Sequence, residues 1–266
     1  MPLSRSQILR LRSLRDKAGR REHGHYLAEG IRVLEEALRH GALPKELFVV
    51  PERLGERGVL LVRRFRDAGI DATEIDSTTL DRFADARTPQ GAIGVFALPE
   101  PRLETGAPRG FPSILLLDGI ADPGNAGTLL RSALAFGFGL AILAGESADP
   151  FSPKVVRSSA GAIFGLEAPR VSVEEAAEWV RSAEVPLIAT SQDGESPSTE
   201  ALARRPLVLA IGSEARGLHP ELAAVAQSTW RVEHLPAVDS LNAAVAGSIL
   251  MHEVFRAGSR TGARGP

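Results

Sequence analysis

The chain has 266 residues, which suffices for one large domain or two modest ones, and its 31 basic and 33 acidic residues leave it close to neutral. It contains no cysteine, which excludes disulfides, thiolate catalysis and cysteine-ligated zinc. No apolar run approaches the length of a membrane span, and the N-terminus lacks the apolar core of a signal peptide, so we expect a cytoplasmic protein.

The N-terminal end is locally basic, with eight basic and three acidic residues between Met1 and Arg32. Such an end on a neutral chain suggests contact with a polyanion, and a solvated basic helix explains it equally well. His23 and His25 have no third metal ligand near them and indicate a polar loop. Apolar periodicity predicts the other elements of this region: helices over 6–14, 31–38, 59–65 and 79–83, and strands over 47–50 and 92–98.

A proline-rich segment divides the sequence. Four prolines and two glycines lie between Pro99 and Pro112, among residues that are poorly suited to a core. The composition predicts three parts: an N-terminal domain over 1–99, a linker over 100–112 and a second domain over 113–266.

The second domain alternates strands with helices, a pattern typical of a mostly parallel α/β sheet with helices on both faces. In such sheets a ligand binds beyond the carboxyl ends of the strands, where the strand order reverses. The predicted strands cover 114–117, 140–143, 168–171, 187–190, 208–211 and 230–232. The predicted helices cover 128–136, 153–162, 174–182, 220–226 and 241–256.

Three loops of this domain carry polar residues at predicted strand ends. In the first, a small-residue turn leads to a helix that begins near Gly127 or Thr128, and the free backbone N–H groups there suit an anion. Arg131 would then lie about one turn into the helix, within reach of Asn125, which is also a candidate helix cap.

The second loop places Glu214 between two glycines, which allow close backbone approach around a carboxylate. The third loop precedes the last helix, where Ser240 is predicted as the N-cap. The sequence has no Walker A loop, dinucleotide-binding glycine motif, zinc-protease helix or serine-hydrolase elbow. General motifs therefore predict an anion-binding site without assigning a reaction.

The three loops, in this order, resemble the signature motifs of the SpoU (TrmH-type) family of RNA ribose methyltransferases. The matching residues are Asp122, Pro123, Asn125, Gly127, Arg131 and Ala133, then Gly212, Glu214, Gly217 and Leu218, and finally Ser240, Leu241 and Asn242. The N-terminal part, with Glu29-Gly30 before a helix and Thr88-Pro89-Gln90-Gly91 before a strand, is similar to the ribosomal-protein-like RNA-binding domain of many members.

The resemblance implies a trefoil-knotted α/β parallel-sheet domain of the SPOUT type, and a homodimer that works without metal. S-Adenosylmethionine would bind against Thr190, Gly212, Val232, Leu235 and Leu241. The catalytic residues would be Arg131, Asn125, Glu214, Ser240 and Asn242. The RNA, with 23S ribosomal RNA favoured over tRNA, would contact Arg5, Arg10, Arg20, Arg21 and Arg157. Arg131 would contact a substrate phosphate, either as the base or as an electrostatic anchor.

One stretch departs from the family pattern. Members usually carry Ile-Pro-Met-x-Gly where this chain has Val232-Glu233-His234-Leu235-Pro236, a change in the backbone that would contact the cofactor. Two other functions remain open at this point. One is a non-catalytic RNA-binding or ribosome-assembly protein on the same fold, and the other is a methyltransferase that acts on tRNA ribose or on a base.

Overall fold

The computed structural model describes residues 3–104, 106 and 113–260, and the chain divides into two compact units. The first unit comprises Met1–Glu100 with Asp149–Gly165, and the second comprises Pro101–Ala148 with Leu166–Pro266. The sequence pattern gives no sign that residues 149–165 belong with the first unit. In the predicted linker, residues 105 and 107–112 lie outside the described residues.

The first unit is built around a four-stranded mixed sheet. Its helices and strands are α1 (Arg5–Ser13), α2 (Lys17–His23), β1 (His25–Glu29), α3 (Ile31–Arg39), β2 (Glu46–Val49), α4 (Pro51–Asp67), β3 (Ala72–Glu74), α5 (Ser77–Asp81) and β4 (Ala92–Ala97). Strand β4 lies between β1 and β2 and is antiparallel to both, while β3 is a parallel neighbour of β2. Apolar residues from α1, the strands and the residues around α5 form one core cluster.

Two of these elements differ from the prediction in an instructive way. His25–Glu29 forms β1 and not a polar loop, because Tyr26, Leu27 and Ala28 are buried and paired with β4. Helix α4 begins at Pro51, well before the predicted residue 59, since proline suits the first turn of a helix. Its backbone is interrupted at Gly55, where φ is 60°.

Residues 149–165 complete the first unit. They contain α7 (Pro153–Ser158) and a 3-10 turn over Ala162–Gly165, which together replace the predicted helix over 153–162. The Phe151 ring centroid lies 5.1 Å from that of Tyr26, and Phe164 lies 4.8 Å from Phe96. Aromatic burial therefore holds this segment in the core of the first unit.

Arg20 is a buried structural residue in this unit. Its side chain is 4% exposed, and it donates a hydrogen bond to the carboxylate of Asp149 at 2.6 Å. It also donates to the backbone carbonyls of Leu14 and Arg15, at 3.0 and 2.8 Å. These partners engage the guanidinium inside the unit, so the prediction that Arg20 contacts RNA is corrected to a structural role.

Replacing Arg20 with Met is expected to reduce the free energy of unfolding of the first unit by about 3–5 kcal/mol, because Asp149 would keep a largely buried, unpaired charge. Hydrogen exchange at the backbone amides of β1 measures this change. The neighbouring and exposed Arg21 provides the control, since Arg21→Met should change the value by less than about 0.5 kcal/mol. Equal losses in the two variants would contradict the structural role of Arg20.

The second unit contains a six-stranded parallel sheet in the order β10-β8-β9-β5-β6-β7. Its elements are β5 (Ser113–Asp118), α6 (Pro123–Ala135), β6 (Leu140–Ala144), β7 (Arg170–Val171), α8 (Val173–Ala183), β8 (Leu187–Glu195), α9 (Thr199–Ala203), β9 (Leu207–Gly212), α10 (Pro220–Ala223), β10 (Ala226–Trp230) and α11 (Ala243–Arg260). The predicted parallel α/β architecture is confirmed, and the strand order reverses beside β5. The trefoil knot implied by the resemblance stays a prediction.

Two helices of this unit begin at other residues than predicted. Helix α6 starts at Pro123 and not near 127, because the Asp122 carboxylate caps it by accepting from the N–H of Asn125 at 2.8 Å. Helix α11 starts at Ala243 and not at Leu241. Among the described helices of both units, none is long and apolar enough to cross a bilayer.

Candidate active site

Three loops leave the carboxyl edge of the parallel sheet. Residues 119–122 follow β5, residues 213–219 follow β9, and residues 231–242 follow β10. Because β5 and β9 are hydrogen-bonded neighbours, with Asp118 opposite Gly212, the first two loops start side by side. The topology therefore brings polar residues that are distant in sequence to one edge of the sheet.

Asn125, Glu214 and Asn242 form one hydrogen-bonded cluster, which we call the polar trio. Oε1 of Glu214 accepts from Nδ2 of Asn242 at 2.9 Å, from Nδ2 of Asn125 at 3.4 Å and from the backbone N–H of Ala243 at 3.1 Å. Nδ2 of Asn242 also donates to Oδ1 of Asn125 at 3.1 Å. The structure thus joins one residue from each of the three sequence motifs.

The bonding of the polar trio determines which of its atoms are left for a ligand. Oδ1 of Asn242 accepts from the backbone N–H groups of Ala244 and Val245, at 2.9 and 3.2 Å, so its Nδ2 must face Glu214. Within the described chain, Oε2 of Glu214 and one N–H of the Asn125 amide have no hydrogen-bond partner. A hydroxyl group can donate a hydrogen bond to such an acceptor and accept one from such a donor at the same time.

Asn242, and not Ser240, caps the last helix. Its side-chain oxygen accepts from the backbone N–H groups of the second and third residues of α11, which is what an N-cap does. Ser240 lies two residues further from the helix, is exposed, and makes no side-chain hydrogen bond to any residue that the structure describes. The predicted capping role of Ser240 is therefore wrong, while its catalytic role stays a prediction.

A cleft of about 1360 Å³ opens beside the polar trio, and Glu214 and Ala243 line it. All five residues predicted to bind the cofactor also line it: Thr190, Gly212, Val232, Leu235 and Leu241. The volume exceeds the roughly 300–1,000 Å³ of a typical small-molecule site, so the cleft has room for more than one ligand group. No three histidine or carboxylate side chains in the described ranges are arranged to hold a metal ion.

Residues 232–241 form one wall of this cleft, which we call the wall segment. No backbone N–H of the wall segment donates to another residue in the part of the chain that the structure describes. Such groups are available to the polar edge of a ligand. Leu235 and Val238 on the same segment are 78% and 51% exposed, and they offer apolar surface beside those groups.

Two close contacts hold the loop that carries Glu214. A Cβ on Gly212 would lie 2.2 Å from the carbonyl carbon of Gly217, so these backbones pass too closely for any side chain. Asp118 is only 6% exposed and accepts from the N–H of His219 at 2.6 Å. Asp118 is not among the site residues predicted from the sequence; its signal there is a carboxylate at the end of an otherwise apolar strand.

No hydrogen bond or ion pair joins Arg131 to the polar trio of its own molecule within the described chain. It is six residues beyond Asn125 on α6, which is ~9 Å further along the helix axis and about 120° around it. Its side chain is exposed, and no ion pair or hydrogen bond joins it to another described residue. The expectation that Arg131 lies about one turn into the helix is wrong, because α6 starts at Pro123 and Arg131 lies about two turns in. Its reach to the mouth beside Asn125 stays a prediction.

Two family models match the chain. The SpoU rRNA Methylase family model matches residues 112–252, which include all three motif loops, and the MRM3-like substrate binding domain model matches residues 5–94. The first match covers more than half of the chain. The chain belongs to the SpoU rRNA methylase family. The family assignment predicted from the three motifs is confirmed.

Relatives within the SpoU family resemble both units. The 23S rRNA (uridine(2479)-2′-O)-methyltransferase of Streptomyces viridochromogenes is 31% identical over 240 residues, covering 88% of this chain and 83% of the relative. RlmP of Bacillus subtilis, a 23S rRNA (guanosine(2553)-2′-O)-methyltransferase, is 27% identical over 243 residues, covering 91% and 93%. The crystal structure of the SpoU methyltransferase AviRb from Streptomyces viridochromogenes in complex with AdoMet matches with a TM-score of 0.83 at 27% identity, over 98% of this chain and 100% of that chain.

Because the first unit of this SpoU protein matches a substrate-binding domain model, the exposure and pairing of its arginines are relevant to binding. Arg5 and Arg21 are exposed and form no ion pair with any described residue. Arg10 and Arg157 each pair with a carboxylate, at 2.7 and 2.9 Å. Arg12 on α1 is also exposed and is not among the residues predicted to contact RNA. The structure therefore leaves Arg5, Arg12 and Arg21 as the less constrained cations of α1 and α2.

Asn242→Ala is expected to lower the free energy of unfolding of the second unit by about 1–2 kcal/mol, because α11 loses its cap and Glu214 loses a donor. Urea denaturation followed by the fluorescence of Trp179 and Trp230, both in the second unit, measures the loss. Ser240→Ala is the matched control and should change the value by less than about 0.5 kcal/mol. If Ser240→Ala lost as much stability as Asn242→Ala, Ser240 would be the N-cap, as the sequence predicts.

Proposed function

We propose that this protein transfers a methyl group from S-adenosylmethionine to the 2′-hydroxyl of a ribose in 23S ribosomal RNA. The observation that carries the proposal is the polar trio, in which the three family motifs converge at the edge of one cleft. The similar 23S rRNA enzymes of Streptomyces viridochromogenes and Bacillus subtilis are named as 2′-O-methyltransferases. Work on ribosomal RNA would take place in the cytoplasm, the location that the sequence analysis expects.

The chemistry of the cleft fits S-adenosylmethionine. The wall segment supplies unpaired backbone N–H groups for the polar edge of a nucleoside, and Leu235 and Val238 supply apolar surface for its base. Thr190, Gly212 and Leu241 lie on the same cleft and remain the expected neighbours of the cofactor. When bound, the cofactor supplies an activated methyl group on its sulfonium.

The residues of the chain then have to align the ribose hydroxyl and accept its proton. Oε2 of Glu214 accepts a hydrogen bond from the hydroxyl, while the free N–H of Asn125 donates to the hydroxyl oxygen. Asn242 holds both partners in this orientation and is itself held by the helix that it caps. Oε2 of Glu214, which holds the hydroxyl proton through this hydrogen bond, is the atom that accepts it.

Arg131 provides positive charge for an RNA phosphate next to the reacting ribose. Arginine stays protonated in proteins, so we assign it the role of an electrostatic anchor and not that of the base. Its exposed guanidinium, with no partner among the described residues, is suited to a bidentate phosphate contact.

Arg131→Ala is expected to reduce the rate of methyl transfer at saturating cofactor by about 10²–10³-fold, because the phosphate loses its charge partner. Liquid chromatography and mass spectrometry of digested RNA measure 2′-O-methylnucleoside formation. The cofactor dissociation constant should stay within about twofold of the wild-type value, since Arg131 does not line the cleft. Near-wild-type transfer by Arg131→Ala would remove the residue from the mechanism.

We also propose that the active form is a homodimer that packs through α6 and α11. The hydroxyls of Ser132 and Ser248 bond at 2.7 Å and join these helices. On α11, the Phe255 ring centroid lies 6.0 Å from that of Phe136 just after α6; Phe255 is 45% exposed and Val245 on the same helix is 48% exposed. Arg131 lies on the exposed side of α6 and is not bonded to the polar trio of its own molecule in the described chain. A second copy would bury the apolar residues and bring Arg131 to the site of its neighbour.

Phe255→Asp is expected to convert the dimer to a monomer, because a carboxylate would be buried in an apolar interface. Sedimentation velocity measures the mass, and methyl transfer should fall together with the dimer fraction. Leu9→Asp is the control, since Leu9 is 56% exposed on the first unit and should leave the mass unchanged. A Phe255→Asp protein that stays dimeric and active would contradict the interface.

The first unit is proposed to select the ribosomal RNA through the basic face of α1 and α2. Replacing Arg5 and Arg21 together with Ala should weaken RNA binding and reduce the slope of log affinity against log salt by about 2, since each phosphate contact contributes about 1. Filter binding of a 23S rRNA fragment over a salt series measures the slope. Arg39→Ala is the control, because Arg39 already pairs with Glu36 at 2.7 Å. An unchanged slope in the double variant would place the RNA elsewhere.

A further inference from the structure

The wall segment of the cleft is joined to the rest of the second unit by few polar contacts. Before it, the backbone N–H of Arg231 donates to the carbonyl of Glu195 at 3.0 Å, which ends the pairing of β10 with β8. After it comes Asn242, which is held by the polar trio. Between these points, the hydroxyl of Ser196 donates to Oε1 of Glu233 at 2.6 Å. In the described chain, this is the one hydrogen bond that ties residues 232–241 to another part of the protein.

Ser196 lies in a part of the chain that is held in place on both sides. It follows directly after the last residue of β8 and lies two residues before Ser198, whose side chain caps α9 by accepting from the N–H of Ala201 at 3.1 Å. Both flanks of Ser196 are therefore held by regular structure. Glu233 lies only three residues after Trp230, so its bond to Ser196 sets the direction in which the chain leaves β10.

The geometry points to Glu233 as a positioning residue for S-adenosylmethionine, acting through Ser196. This inference rests on the proposed function. With Glu233 bound to Ser196, the wall segment lines the cleft in advance of cofactor binding, with its unpaired backbone N–H groups and its apolar side chains available there. Without that bond, the cofactor would have to order a segment that is tied only at its two ends, and affinity would fall by the cost of that ordering.

The expected size of the effect follows from the chemistry of the bond. It is charge-assisted and short, which strengthens it, but both residues are exposed, so water competes for each partner. Net contributions of single hydrogen bonds correspond to about 2–12-fold in an equilibrium constant. We therefore expect the dissociation constant of S-adenosylmethionine to rise by about 3–10-fold when the bond is removed.

Isothermal titration with S-adenosylmethionine tests the inference on Ser196→Ala, Glu233→Ala and the double variant. Each single variant should weaken binding by about the same factor, and the double variant should be no weaker than either single one, because all three lose the same bond. Ser196→Thr keeps the hydroxyl and should restore most of the affinity. The KM for the cofactor should rise in the single variants while kcat at saturating cofactor changes by less than about twofold.

Glu200→Ala is the matched control, since Glu200 is an exposed acid on α9 outside the cleft lining and should leave the affinity unchanged. Unaltered affinity in both single variants, or losses that multiply in the double variant, would overturn the role of Glu233. Both results are interpretable once the far-ultraviolet spectra show folded proteins. If the wild-type protein itself bound no S-adenosylmethionine, the proposed function would fail, and not merely the role of Glu233.

Discussion

The site depends on one carboxylate oxygen that is shared by groups from different loops. Oε1 of Glu214 accepts from the side chains of Asn125 and Asn242 and from the backbone of Ala243. Each donor alone would be a modest contact, but together they tie the first turn of α6 and the loop after β9 to the start of α11. Because Oε1 already accepts from three donors, Oε2 and one amide N–H of Asn125 are the atoms of the polar trio that have no partner in the described chain and can face a substrate. The three donors thereby fix the orientation of the Glu214 carboxylate, which the sequence alone does not define.

The parallel sheet makes this convergence possible. Its central strands are apolar and buried throughout, so the only polar residue of β5 besides Ser113 is Asp118 at the carboxyl end. Asp118 and Gly212 then fix the loop of Glu214 against the sheet, one by a buried hydrogen bond and the other by the absence of a side chain. The wall segment has neither a buried side-chain hydrogen bond nor a close backbone contact of this kind in the described chain. It relies on the bond between Glu233 and Ser196, which we propose compensates for a segment without backbone pairing.

Much of this could be predicted from the sequence. Apolar periodicity locates most strands and helices, and the three polar loops identify both the family and the residues that meet at Glu214. The misses have local causes. Asp122 followed by Pro123 is a start signal that moves the start of α6 forward and places Arg131 about two turns into the helix instead of one. Burial of Arg20 and the placement of residues 149–165 depend on contacts between distant parts of the chain, which local patterns do not report.

The most direct test is to locate the methyl group on the RNA product. The purified protein is incubated with unmodified 23S rRNA and S-adenosylmethionine labelled in the methyl group, and the RNA is digested and examined by mass spectrometry. The account predicts label in one 2′-O-methylnucleoside, at a single position of the RNA, and far less label with Glu214→Gln. Label on a base, or no transfer by a protein that binds the cofactor, would contradict it.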